Sequence, residues 1–532
     1  MNDWSKRLAQ LPPEKQAILA QEIEKDGARF NCFRLSFAQE RLWFLEQLAP
    51  GNPTYTIPGA LRIRGPLDLE ALRQSFQEMV IRHEILRTVF FDLDGRPLQV
   101  IQDRVELPLT VLDLREYPEE QQKPQAQQLA SEESRRPFDL REGPLLRTLL
   151  LQLSEQEYIL VVTMHHIISD GWSLGVLIHE LSQLYPAFVQ GQESPLPELP
   201  IQYADYATWQ RQRLQGTVLE EQLDYWKETL AGAPAMLELP TDHARPAQWT
   251  FRGARQPLHI PAELTEQLKQ FSRREGVTLF MTLLTAFGVL LARYSDQDDL
   301  LIGSPIANRN RREVEGLIGF FVNTLVLRCD LRGSLSFREA VQRVREMALG
   351  AYAHQELPFE KLVEVLQPER NLSHQALFQV MFALQNAPTP VLQLPGMQLS
   401  IMEIDNRVSR FDLALTLEET TQGLYGWFEY STDLFEGERM ERMGQHYQRL
   451  LEALVAAPEQ RIADLPLLSE PERLRLLHSW NATRVDFGPP LCIHRLIEQQ
   501  AAQRPLAVAV VCGEERVSYA ELNRRANQLA HL

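Results

Sequence analysis

The chain has 532 residues, 44% of them apolar and 23% charged, which is a folded, globular composition too long for one ordinary domain; two or three packed units are expected. Lys and Arg number 54 against 71 Asp and Glu, a formal charge of −17 with no basic stretch to offset it, which argues against a nucleic-acid or anionic-membrane partner. The four cysteines, Cys32, Cys329, Cys492 and Cys512, are far apart and form no CxxC, the pattern of a reduced, cytoplasmic protein without a structural zinc site.

Residues 1–29 read as a leader, with a helix opening at Pro12-Pro13-Glu14 and ending at Asp26-Gly27, and without the apolar core of a signal peptide. Ser36 then stands where a cap belongs, with Gln39 and Glu40 three and four residues on, before the apolar Leu42, Trp43 and Leu45. Leu67 to Val80 has the spacing of an amphipathic helix and leads to Arg82-His83-Glu84, where His83 reads as scaffold. A strand follows, and Asp92-Leu93-Asp94-Gly95-Arg96 predicts a hairpin turn before Leu98-Gln99-Val100-Ile101.

Tyr158 to Thr163 is a β-rich run. Leu174, Leu177, Ile178, Leu181 and Leu184 then recur at helical spacing. Between them lie Met164-His165-His166-Ile167-Ile168-Ser169-Asp170-Gly171-Trp172-Ser173, so this stretch reads as strand, tight loop and helix. Residues 190–200 are polar and Pro-rich and read as a connector. A single long helix is predicted from Tyr203 to about Leu230, and Thr278 caps a buried helix that ends near Arg293-Tyr294. The longest apolar stretch, Leu279 to Ala292, is 14 residues long, too short to span a bilayer.

Ile302 to Arg311 reads as a polar and glycine-rich cluster, and the second half of Gly316 to Arg328 as strand. Strand patterns continue to about Tyr430, and a helix from Gly437 to Ala456 closes this part. Residues 464–490 read as a second connector, ending in Gly488-Pro489-Pro490. In 491–532, Ala507 to Cys512 is a strand, Gly513-Glu514 a turn and Arg516-Val517 a short return. Ser518 opens a helix with Leu522, Ala526 and Leu529 inward. So short a segment cannot build its own core and reads as the start of a further domain.

Neighbouring side chains on an extended strand point to opposite faces, so His165 and His166 cannot readily share one metal ion or one substrate. One imidazole faces a cleft and the other is buried or hydrogen-bonded, and Asp170 folds back to order the loop. A histidine is well suited to moving a proton at neutral pH. Zinc needs a third ligand at a suitable spacing, and a hydrolase triad needs a G-x-S-x-G elbow; neither is present. No Walker loop or dinucleotide fingerprint appears in residues 1–490. A purely structural histidine pair stays open as the alternative.

His165-His166-Ile167-Ile168-Ser169-Asp170-Gly171 matches the HHxxxDG signature of condensation domains of nonribosomal peptide synthetases. Ser36 to Trp43, Arg82 to Thr88, Tyr203-Ala204-Asp205-Tyr206, Ile318 to Thr324, His354 to Phe359 and Ser373 to Phe382 resemble the family's other core motifs, in family order. Val517 to Asn527 resembles the opening of an adenylation domain.

The resemblance implies an α/β fold of two chloramphenicol-acetyltransferase-like lobes, a V-shaped pseudo-dimer with a central tunnel. The first lobe would be residues 30–190, the second 200–470, with a linker at 471–490 and an adenylation start at 491–532. It implies amide formation between a carrier-bound acyl or peptidyl thioester and a carrier-bound aminoacyl group, each on a phosphopantetheine arm, without an acyl-enzyme. No metal and no cofactor held by the chain itself are implied. The partners would be an upstream donor carrier, a downstream acceptor carrier and the adenylation domain in cis, around a monomeric module. Met1 opens the sequence, so the donor is expected from another polypeptide or an acyl carrier.

On this resemblance His166 is the catalytic imidazole, acting as base or positioning the amine. Asp170 shapes the loop, with Arg309 as its ion-pair partner. Gly171 leaves room for the pantetheine arm, and its N–H is a candidate donor. His165 and Asn323 support the site from behind, and Trp172 and Ser173 complete the loop. Heterocyclisation domains carry aspartates in place of the histidines, which this chain keeps. Epimerisation domains share the signature but usually follow a carrier. The order here resembles domains joining an L-configured donor to an L-configured acceptor. A starter domain taking a fatty-acyl donor and a non-catalytic recruiting module are the other readings.

Overall fold

The structure, a computed structural model, describes residues 31–368, 373–385, 394–402, 404, 406–486 and 491–532. The leader helix predicted at Pro12-Pro13-Glu14 and the Gly488-Pro489-Pro490 end of the second connector lie outside the described residues. The described chain forms two compact units, divided between Leu467 and Leu468.

In the first unit, β1 (Cys32–Arg34), β3 (Thr88–Leu93) and β4 (Arg96–Ile101) make a small sheet in the order β1-β4-β3. The predicted hairpin turn is there, with Asp94 at φ +56° and Gly95 at φ +74°. A larger sheet is built on β2 (Thr56–Arg64), β5 (Leu109–Asp113), β6 (Leu146–Ser154) and β7 (Glu157–His165). The helices of this lobe are α1 (Phe37–Leu48), α2 (Leu69–Arg82), α3 (Glu119–Arg135) and α4 (Gly171–Val189). Ser36 caps α1 by accepting the Gln39 N–H, and the Gln39 side chain returns the bond to the Ser36 backbone.

β7 is apolar almost throughout because both its faces are covered. Leu160, Val162 and Met164 share a core with Phe76 of α2 and Leu177 and Leu181 of α4. Ile159 and Val161 meet Ala126 and Ala130 of α3 on the other side. This alternation sends His165 toward the α3 side, where its ring stands edge-on to Phe138 at 6.1 Å.

The second lobe carries α5 (Tyr203–Arg213), α6 (Gly216–Leu230), α7 (Ala262–Glu275), α8 (Leu279–Ser295), α9 (Phe337–Ala353), α10 (Phe359–Leu366) and α11 (Gly437–Ala456). Its strands are β8 (Gly253–Pro261), β9 (Asp299–Ile306), β10 (Asn323–Asp330), β11 (Val380–Gln385), β13 (Leu413–Thr420) and β14 (Gly423–Ser431), with β12 (Gln398–Met402) leaving to the other lobe. The six run β10-β9-β11-β13-β14-β8. Thr278 caps α8 through the Met281 N–H, and Leu283, Leu284, Ala286 and Phe287 are fully buried. Among the described residues no single helix is long and apolar enough to cross a membrane.

Four expectations are corrected. The helix read from Tyr203 to Leu230 is two helices, because Leu214 turns into the core and Gly216 takes a left-handed φ of +54°. The Gly-Ser-Pro run at Ile302 to Ile306, read as the start of a polar and glycine-rich cluster, belongs to the strand β9. Gly303 is needed there, since a Cβ would stand 2.2 Å from the Phe378 ring, and Pro305 lies past the last pairing with β11 at Met381↔Gly303. The second connector contains a helical segment, α12 (Glu470–Leu474), that continues to Ser479 in a wider turn.

The fourth concerns the two lobes, whose cores do not follow the 30–190 and 200–470 division. Tyr203, Tyr206, Val314, Leu317, Ile318 and Phe321 pack in the first lobe's core. β12 pairs antiparallel with β2, so the first lobe's sheet reads β12-β2-β7-β6-β5.

The second unit, Leu468–Leu532, holds α13 (Ile493–Gln503), the hairpin β15 (Val508–Cys512) and β16 (Glu515–Ser518), and α14 (Tyr519–His531). Ser518 caps α14 through the Glu521 N–H. The face predicted inward is not covered along its length: Leu522 is half-buried, whereas Ala526 and Leu529 are exposed, because a two-stranded ribbon reaches only the first turns.

Candidate active site

The site is built where β7 gives out. His165 ends the strand and His166 begins a single 3₁₀ turn to Ile168. His165 is buried, and its Nδ1 accepts the Ile167 N–H at 3.1 Å, which fixes the neutral tautomer with the proton on Nε2. His166 turns the other way. Its Nδ1 lies 2.9 Å from the Ser169 carbonyl oxygen, which only accepts, so Nδ1 carries the proton and Nε2 keeps its lone pair. The ring packs against Phe320 at 4.8 Å, and it is partly accessible.

Both imidazoles are held far below their ordinary range, at about 3. For His165 the cause is burial, then the neighbouring His166. For His166 it is burial, then the positive charges of Arg410 and, more weakly, Arg41, against which the bond to Ser169 acts in the other direction. Both rings are therefore neutral at physiological pH.

Asp170 is fully buried and caps α4. Its Oδ1 accepts the Ser173 N–H at 2.9 Å and lies 3.1 Å from Arg309 Nη2, while its Oδ2 accepts the Phe321 N–H at 3.0 Å. Arg309 is buried as completely. Its Nη1 donates to the Val314 and Leu317 carbonyls at 2.6 and 2.7 Å, and its plane stacks over Phe321 at 4.0 Å. Burial lowers the proton affinity of this guanidinium and the Asp170 charge raises it. The Ser173 hydroxyl joins the pair, 2.7 Å from Asp170 Oδ1, accepting from Arg309 Nη2 at 2.9 Å and from the Gly319 N–H at 3.1 Å. Trp172 Nε1 donates to the Glu315 carbonyl at 2.9 Å.

The structure thus brings His166, Asp170, Ser173, Trp172 and Arg309 together around the crossing segment 309–321. Gly171 stands at the first turn of α4, and a Cβ there would meet nothing within 4 Å. His165 lies behind the strand. Asn323 opens β10 and does not reach the imidazole. Its Nδ2 donates to the Gln355 and Leu357 carbonyls and its Oδ1 accepts the Phe359 N–H, so it ties the 355–359 loop to the sheet.

Sequence reasoning missed Phe320 and its support. Tyr203 Oη donates to the Phe320 carbonyl at 2.6 Å and lies 2.9 Å from Ser36 Oγ. Gly319 permits this, because a Cβ would sit 2.1 Å from the Tyr203 ring. Gln39 Nε2 donates to the Ile167 carbonyl at 3.2 Å, so the α1 cap also braces the histidine turn. Ser36, Gln39 and Tyr203 all stand in motifs noted above, but nothing local in the sequence pairs them. Among the described residues no group of His, Cys, Asp and Glu is placed to hold a metal ion.

A family model described as Condensation domain matches residues 31–477. A linear gramicidin synthase protein of Brevibacillus parabrevis is 51% identical over 499 residues, covering 93% of this chain and 10% of that protein. Phosphinothricin tripeptide synthetase PhsC of Streptomyces viridochromogenes is 40% identical over 547 residues, covering 100% of this chain and 50% of that protein. The chain spans about a tenth of the length of the gramicidin synthase protein. Among solved structures, the X-domain from teicoplanin biosynthesis superposes with a TM-score of 0.75 at 30% identity over 82% of this chain and 97% of that one. A four-domain nonribosomal peptide synthetase bound to AMP and glycine gives 0.83 at 24% identity over 94% of this chain and 38% of that one, a likeness of fold.

Two outcomes follow from the geometry. Asp170→Asn or Arg309→Gln alone strands a buried charge, and each is expected to cost about 3–5 kcal/mol, with the double variant losing much less than the sum. Urea denaturation of the three proteins measures this, and additive losses would contradict a coupled pair. The second concerns pH. The folded values of His165 and His166 lie below the unfolded 6.5, so the unfolded chain binds more protons between about 3 and 6.5. Their contribution is complete above 6.5 and is lost as pH falls toward 3. His165→Gln keeps an acceptor for Ile167 without the titration, and the decline in its urea midpoint below pH 6.5 should be shallower than in wild type.

Proposed function

The chain belongs to the condensation-domain family, and on that premise we propose that it joins a carrier-bound acyl or peptidyl thioester to the α-amine of a carrier-bound aminoacyl group. In this reaction the amine nitrogen bonds to the thioester carbonyl carbon and the carbon–sulfur bond breaks. The nitrogen gives up one proton and the departing sulfur takes one, so amine and thioester become amide and thiol.

The observation that carries the reading is His166, neutral, with Nδ1 committed to Ser169 and the Nε2 lone pair unspent. It also favours one role over the other. An α-amine titrates at about 7.7–8.0, so moving a proton from its ammonium form onto an imidazole held at about 3 is uphill by about 6.5 kcal/mol. His166 Nε2 therefore acts first as a hydrogen-bond acceptor that orients a neutral amine toward the carbonyl, and the rate comes from positioning more than from basicity. Asp170, Ser173 and Arg309 hold the turn that presents it, while His165 accepts the Ile167 N–H within the turn and Trp172 ties the start of α4 to the Glu315 carbonyl. The open space at Gly171 suits the passage of a narrow pantetheine chain.

The thioesters arrive on phosphopantetheine arms of an upstream donor carrier and a downstream acceptor carrier, and the adenylation domain that residues 491–532 resemble loads the acceptor. Relatives named for gramicidin and for a tripeptide favour an aminoacyl or peptidyl donor over a fatty-acyl one; that both partners are L-configured rests on the resemblance of Ser36 to Trp43 and on the adenylation start that follows.

The test combines the protein, a donor-loaded carrier and an aminoacyl-loaded carrier, with intact-mass detection of the condensed product. His166→Ala should slow product formation about tenfold to a hundredfold with the thermal midpoint little changed. No product from any donor would sink the reading in favour of a recruiting module. Gly171→Leu should fold as wild type, since its side chain meets no protein atom near its Cβ, yet lose most of its condensation rate by filling the passage. Full activity in that variant would remove Gly171 from the site.

A further inference from the structure

Two guanidinium groups bias His166 electrostatically, and they differ in how their charge is met. Arg41 on α1 lies over Phe359 and pairs with Glu360 Oε1 at 3.5 Å. Among the described residues no carboxylate is paired with Arg410, whose guanidinium carbon lies 5.9 Å from the centre of the Tyr55 ring. Tyr55 immediately precedes β2, and the first residue of β2, Thr56, pairs with His165. Tyr55 therefore lies one residue past that pairing, at the level of His166. Arg410, from the segment between β12 and β13, reaches the first lobe at the depth of the imidazole.

The backbone that presents Arg410 is held on both sides. The Ser409 N–H donates to the Phe251 carbonyl at 2.9 Å, and Ser409 Oγ donates to the Phe411 carbonyl at 2.7 Å. Val408 bridges Arg252, and Asp412 takes both arms of Arg245. Gly253 packs so closely that a Cβ would stand 2.5 Å from Ser409. Ser409 and Asp412 are buried, whereas the Arg410 side chain is only half-buried. The fold thus holds a cation over Tyr55, at the strand level of His166, with no carboxylate paired to it among the described residues.

We propose that Arg410 is a positioning residue for the condensation, a cation that keeps the acceptor's α-amine uncharged beside His166 Nε2, so that the nucleophile is bound as the free base. This rests on the reaction assigned under the proposed function. The other charges around the amine's place cancel. Arg41 is met by Glu360, and Arg309 by Asp170 behind the loop. Around Arg410 itself, Arg245 is met by Asp412 and Arg252 by Asp433, His165 is neutral, and Tyr55 is a phenol; Arg407 is exposed to solvent. Among the described residues Arg410 is left without a paired carboxylate, and its charge is the largest acting on His166 after burial. A field that disfavours imidazolium disfavours an ammonium ion at the same spot for the same reason. It also removes the need for a strong base, which His166 is not.

The decisive measurement is kcat/KM for the aminoacyl carrier from about pH 6 to about pH 9 in wild type, Arg410→Gln and Arg410→Lys, beside an NMR titration of the His166 imidazole. The Gln variant should move the acid limb upward by about one pH unit, about tenfold slower near pH 6.5 and converging with wild type near pH 9. Lys should restore the wild-type profile, and the His166 titration should rise in Gln and not in Lys. A loss equal at all pH values would place the guanidinium on the carbonyl oxygen or in the scaffold and overturn the proposal, as would an unchanged profile. Absence of product in wild type would overturn the condensation reading itself, while the imidazole titration, which needs no substrate, would still decide whether Arg410 sets the field.

Discussion

The structure depends on one buried ion pair. Asp170 and Arg309 come from segments 139 residues apart, and neither side chain has more than 1% of its surface exposed. A charge taken out of water costs several kcal/mol unless every lone pair and proton finds a partner. Here nearly all do: Asp170 takes two backbone N–H groups, a hydroxyl and a guanidinium, and Arg309 spends its two terminal nitrogens on two carbonyls, the carboxylate and the same hydroxyl. Because arginine does not shed its proton, the crossing segment 309–321 cannot leave without uncovering a charge. The end of β7, the start of α4 and that segment are indexed to one another through this pair, and the His166 turn lies between them.

The pair also separates charge from chemistry. Asp170, the carboxylate of the same loop, is satisfied by Arg309, the Ser173 hydroxyl and two backbone N–H groups, and it does not draw a proton onto His166. What reaches the imidazole is positive charge from Arg41 and Arg410, together with the dry wall of Phe320. A His–Asp motif that looks like an acid–base couple when written as a string is, in space, a carboxylate that shapes a loop and an imidazole kept neutral.

Much of this was legible in the sequence where local rules decide. The cap at Ser36, the strand from Tyr158, the α8 cap at Thr278 and the helix from Gly437 to Ala456 follow from capping chemistry and period alone. The opposed histidines follow from the pleat. The Asp170–Arg309 contact came from the resemblance, since no spacing rule links residues so far apart. What stayed hidden depends on packing across the chain. β9 was obscured because Gly303, Ser304 and Pro305 carry turn preferences that tertiary contacts override. The break at Leu214 was obscured because its cause is a buried leucine. Phe320, Tyr203 and Arg410 meet the site through partners more than a hundred residues away, and such meetings leave no periodic trace.

The exchange of segments between the lobes bears on how the protein comes to be folded. The first lobe's sheet is completed only by β12, and its core only by residues from 203 to 321, so nearly four hundred residues must leave the ribosome before β2 loses its open edge. Asp170 and Ser173 likewise lack the backbone groups that satisfy them until Gly319 and Phe321 have been made. A cut at the connector would leave the six-stranded sheet with all its strands but would take β12 from the first sheet and Arg309 and the Phe321 N–H from Asp170. The histidine turn is thus braced only when residues from both sides of the connector are present.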